Sequence, residues 1–100
     1  MKTFIIEREI PGASQLTDEE LRAITTASND AADSLERPYN WLHSYVAGDK
    51  IYCVHQAENE EVIREHSRRG DFPATLVAEV VAVFDRTGPR DLPELATAGG

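Results

Sequence analysis

One cysteine, one methionine and only ten lysines and arginines stand in this 100-residue chain against eighteen aspartates and glutamates. Each scarcity excludes something. A single cysteine cannot close an intrachain disulfide, so nothing in the chain requires an oxidising compartment. The net charge of -8 opposes binding to nucleic acid or to an anionic membrane, since both need a basic field to hold the polyanion. The basic residues that do cluster, Arg64, Arg68 and Arg69, are interleaved with Glu60, Glu61 and Glu65, the pattern of a solvated, ion-paired helix face. No apolar run approaches the roughly 20 residues of a membrane span. The apolar opening of MKTFIIEREI meets Glu7, Arg8 and Glu9 too soon to be the core of a signal peptide. A cytoplasmic protein is expected. The signatures of common enzymes are also missing: there is no Ser-His-Asp set, phosphate-binding glycine loop or HExxH motif.

What is present describes an ordinary folding chain. Hydrophobic residues make up 41% and charged residues 28%, proportions that support a core. At this length the core is small, so association that buries more surface is expected.

Thr3 to Ile10 is rich in β-branched and aromatic residues and reads as a strand ended by Pro11-Gly12. Thr17 with Glu20 three residues on forms a capping box, and Leu16 is placed to staple against Leu21. Leu21, Ile24, Ser28, Ala31 and Leu35 then recur at steps of three and four, marking the inner face of a helix that ends near Arg37, before Pro38. Trp41 to Ala47 and Lys50 to Gln56 read as strands joined by a Gly48-Asp49 turn. A second helix is predicted from an Asn59 cap to Gly70, with Val62, Ile63 and His66 facing inward. Thr75 to Asp85, TLVAEVVAVFD, reads as one long strand. Residues 87–100 are rich in Pro, Gly and Ala and read as an extended or disordered arm, leaving 1–86 as the folded domain.

This order predicts an α+β, ferredoxin-like βαββαβ domain: a four-stranded antiparallel sheet with two helices on one face. The other face would be open, and two open faces meeting would make a homodimer with a shared interior. Alternation assigns Phe4, Ile6 and Arg8 to the helix side and Ile5, Glu7 and Glu9 to the open side. It likewise places Leu76, Ala78, Val80, Ala82 and Phe84 under the helices, with Glu79 joining Glu7. Leu42 and Val46 suit the core, leaving Trp41, His43 and Tyr45 on the open face.

The third strand depends on its loop. A two-residue turn pairs Tyr45 with Tyr52 and sends Cys53 and His55 into the core; an odd loop or bulge brings both to the face of His43. In either register His43 has Glu7, Tyr45 and Glu79 as company. Imidazole with carboxylate suits a first-row divalent ion such as nickel or zinc, with a two-fold axis supplying the remaining ligands. Plainer readings stand beside this one. Cys53 is a small buried hydrophobe, His66 a packing residue, Trp41 and Tyr45 interface anchors, and Glu7 and Glu79 ion-pair partners of Arg8 or Lys50.

The segments FIIEREIPGA, WLHSYVAGDKIYCV, EEVIREHSRRGDFPA and VAEVVAVFD together resemble the small bacterial domain of unknown function 4242. The resemblance runs from Thr3 to about Asp85 and leaves the tail outside. It implies a ferredoxin-like fold, pairing through the sheets, and nickel binding in the blocks that contain Glu7, His43, Tyr45, Cys53, His66 and Glu79. His55 departs from the aromatic residue expected after YCV. The first expectation is therefore a homodimer binding nickel, or else zinc or cobalt, by coordination without turnover. The alternatives are a dimeric α/β-barrel enzyme holding a small organic substrate between sheet and helices, with His43, Tyr45 or His66 moving protons, and a plain interaction module.

Overall fold

The computed structural model describes residues 1–92. Strand β1 (Lys2–Glu9) leads through a short 3-10 turn (Ala13–Gln15) into helix α1 (Asp18–Ser34), followed by the hairpin β2 (Tyr39–Ala47) and β3 (Lys50–Ala57), helix α2 (Glu60–Gly70) and strand β4 (Leu76–Val80). The strands form an antiparallel sheet in the order β2-β3-β1-β4. Helix α2 packs on β3 and β4 and α1 packs on α2, so the chain is an α+β fold of two helices with a four-stranded antiparallel sheet.

Local sequence accounts for both helices. Thr17 Oγ1 accepts from the Glu20 backbone N–H at 3.1 Å, while Glu20 Oε1 accepts from the Thr17 N–H at 2.9 Å. Asp18, Glu19 and Glu20 add negative charge at the positive end of the helix dipole. Replacing Thr17 with Ala is expected to lower stability by about 1 kcal/mol, read from the midpoint of a urea transition. Asn59 caps α2 by accepting from the Val62 N–H at 3.0 Å. Helix α2 ends at Gly70 as its sequence indicates, but the left-handed residue is Asp71, with φ of 59°. Gly70 serves close approach instead: a Cβ there would stand 2.4 Å from the ring of Phe72, which folds back against the helix.

The Gly48-Asp49 turn is two residues long and pairs Tyr45 with Tyr52, the register that turns Cys53 and His55 inward. Phe4, Ile6 and Arg8 lie opposite His55, Cys53 and Ile51, and with Val62, Ile63 and Leu35 they build the buried side of the sheet.

Three expectations are corrected. A bulge between Trp41 and His43 absorbs Leu42 and shifts the alternation, so Trp41 lies opposite His55 on the helix side while His43 and Tyr45 stay on the open side. In β4 the faces are reversed. Val77 pairs with Ile6 and Glu79 with Phe4, placing Glu79 on the helix side and Leu76, Ala78 and Val80 on the open side. The bond from the Thr75 N–H to the Glu7 carbonyl at 2.9 Å sets this register; both faces of β4 carry apolar residues, so alternation alone could not.

The expected long strand also ends at Val80. Val83–Asp85 (β5) instead pairs with Gly88–Arg90 (β6) in a separate two-stranded sheet. Asp85 holds its turn by accepting from the Thr87 N–H at 2.8 Å and pairing with Arg90 at 3.0 Å, and Gly88 takes a φ of 107°. The arm expected over 87–100 thus contributes β6; residues 93–100 lie outside the described part.

Candidate functional site

The two faces of the sheet divide the expected site residues. On the open face His43 is exposed and meets Tyr45 edge to face, ring centroids 5.1 Å apart. Glu7 shares this face but is held by Lys50 at 3.2 Å, two strands away from His43. Strand spacing and rise put the two Cα atoms on the order of 12 Å apart. Glu79 is on the opposite face, and Cys53, His55 and His66 are buried. Among the described residues no group of three or more His, Cys, Asp or Glu side chains is placed to hold a metal ion. The open face of the sheet therefore brings together, of the expected metal ligands, one exposed imidazole and a separate carboxylate.

The helix side carries a buried polar cluster. The Tyr39 hydroxyl bonds His55 Nδ1, the Tyr39 ring stacks on His66 at 4.6 Å, and the two imidazoles meet edge to face at 5.2 Å. His66 Nε2 lies 3.0 Å from the Ser28 carbonyl, which can only accept, so this nitrogen carries the proton. Tyr39 has no other acceptor among the described residues; its O–H therefore donates to Nδ1 and the proton of His55 sits on Nε2. Burial raises the Tyr39 pKa and keeps the phenol neutral. Burial likewise pushes His55 down to about 2, with His66 and the Arg8 charge adding to the effect, and lowers His66 as well. His55 Nε2 and His66 Nδ1 are buried without a hydrogen-bond partner among the described residues.

Arg8 completes the cluster. Its side chain is 3% exposed, with Nη1 donating to Ser67 Oγ at 2.9 Å and to the Pro73 carbonyl at 2.8 Å, and Nε directed at Cys53 Sγ at 3.4 Å. The guanidinium lies over the Phe72 ring, 5.3 Å from its centroid. No carboxylate pairs with it among the described residues. Beside this cluster, between α1 and the sheet, lies a cavity of about 540 Å³. Leu21 and Ile24 of α1 are only half-buried because they look into it. The aromatics of the helix side, Tyr39 and Trp41, are missed by a reading that sends Trp41 to the open face; alternation in β1 does place Arg8 there.

A family model described as nickel responsive protein SCO4226-like matches residues 4–80. No curated protein matches the chain. Among solved structures the chain is similar to the crystal structure of SCO4226 from Streptomyces coelicolor A3(2), at 18% identity and a TM-score of 0.65, covering 78% of this chain and 94% of that one. At this identity the structural likeness establishes the fold alone.

Proposed function

The chain belongs to the SCO4226-like family, and from that premise we propose that it is a homodimeric nickel-binding protein whose open sheet faces meet and bring His43 of each protomer into the metal site. The observation that carries this reading is the separation of the histidines. His55 and His66 are each 1% exposed and committed to the core, whereas His43 stands exposed on the open face. Its imidazole nitrogen and the carboxylate of Glu7 are donor types that suit nickel. One protomer does not assemble three such donors among its described residues, which supports drawing the others from the facing copy.

Several features support that pairing. The strand order β2-β3-β1-β4, with one helix after β1 and the other after β3, supports a ferredoxin-like reading of the domain. Tyr45 and Leu76 are 60% and 50% exposed on the open face, an apolar surface suited to burial in a dimer. In the assembled site neutral His43 supplies a lone pair and Glu7 exchanges Lys50 for the metal. Protons compete for the same lone pair, so affinity falls with acid.

Nickel titration of tag-free, chelator-treated protein by calorimetry tests this. Saturable binding is expected, with a fixed number of ions per dimer. His43→Ala is expected to lose it by at least about tenfold while helix content and association state stay unchanged. Nickel affinity unchanged in His43→Ala would overturn the reading.

A further inference from the structure

The cavity on the helix side is independent of His43, which lies across the sheet from it. Its walls come from the end of β1 with residues 10–11, from α1, β2 and β3, and from residues 71–73, and are chiefly apolar, with Ile24, Trp41, Ile51 and Phe72 prominent. Its volume of about 540 Å³ falls within the roughly 300–1,000 Å³ of small-molecule sites. Three buried polar residues, Arg8, Ser28 and His55, line it. His55 lines it with a ring whose Nδ1 is held by Tyr39 and whose Nε2 is itself shielded from solvent. Arg8 uses Nε and Nη1 on the protein, while Nη2 makes no hydrogen bond to the described residues.

Nη2 is thus a free donor on a buried cation that has no counter-ion among the described residues. Burying an unpaired guanidinium is unfavourable, and an anion brought to it would relieve that penalty. The acidic residues that line the cavity, Glu9 and Asp71, are exposed and neither pairs with Arg8. We propose that this cavity is a binding site for a small organic acid with an apolar body, its carboxylate accepting from Arg8 Nη2 and its body lying against Trp41 and Ile24. No reaction is assigned to the site.

Trp41 is the only tryptophan in the chain, so its emission reports directly on the cavity wall. The probes are phenylacetate and its neutral isostere phenylacetamide, titrated at neutral pH and followed by Trp41 fluorescence and calorimetry. Phenylacetate is expected to bind saturably, one per chain, at least about tenfold more tightly than the amide. Ile24→Phe, which fills the cavity without touching its polar cluster, is expected to abolish binding of both. Arg8→Met, which keeps the side-chain volume, should bring the acid down to the level of the amide, with circular dichroism checking that the variant folds. Absence of saturable binding overturns the proposal; so does equal affinity for acid and amide, or undiminished phenylacetate binding by Ile24→Phe. The last two comparisons do not depend on the folding of the Arg8 variant.

Discussion

Acidifying this protein from about pH 8 to about pH 5 is expected to remove about 2 kcal/mol of its stability through His55 alone. The unfolded imidazole titrates near 6.5, whereas the folded one is pushed down to about 2 by burial and its cationic surroundings. Between those values the unfolded chain binds a proton that the folded chain refuses. Stability is therefore fully present above the unfolded pKa and is lost as pH falls below it, by about 1.4 kcal/mol per pH unit. His66, also lowered by burial, acts in the same direction. Urea transitions at the two pH values measure the loss. His55→Gln, which takes up no proton, should be less stable than the parent at the higher pH but show a shallower acid slope. An identical slope in His55→Gln would remove His55 as the cause.

Arg8 should show the second large effect, and two substitutions separate its parts. Arg8→Ala removes a buried stem from beneath Phe72 and leaves the Ser67 hydroxyl and Pro73 carbonyl without their donor. A loss of about 3 kcal/mol is expected, from the vacated volume and the unsatisfied polar atoms together. Arg8→Met retains most of the volume and also ends the desolvation of an unpaired charge. Its loss should stay within about 1.5 kcal/mol. Chemical denaturation of the two variants under one set of conditions decides the matter. Equal losses would mean that the hydrogen bonds, and not packing, account for the contribution of Arg8.

These two residues show how unevenly the site was legible. Phe4, Ile6 and Arg8 alternate in a strand, and that period alone directs Arg8 inward; nothing nearby indicates that no carboxylate of the described residues would pair with it. His55 has two readings that differ only in the parity of the preceding loop. The two-residue Gly48-Asp49 turn selects the inward one, where Tyr39 provides a partner 16 residues away. Glu79 was misplaced because Leu76, Ala78 and Val80 look as suited to the core as Val77 does. The choice was made by pairing with β1, some seventy residues earlier in the chain.

What the sequence determined by itself were the features whose causes are short-range. Thr17 with Glu20 and Asn59 with Val62 cap their helices within a single turn, so α1 and α2 begin where their residues say. The β2–β3 turn needs two adjacent residues, and the acidic composition is a property of the whole chain. The tertiary structure decided which face each strand shows, the inward swing of Trp41 at the Leu42 bulge, and the cavity between α1 and the sheet. Each of these depends on hydrogen bonds and packing between segments far apart in the chain. A side-chain period of two turns any one-residue shift in such pairing into a reversal of faces.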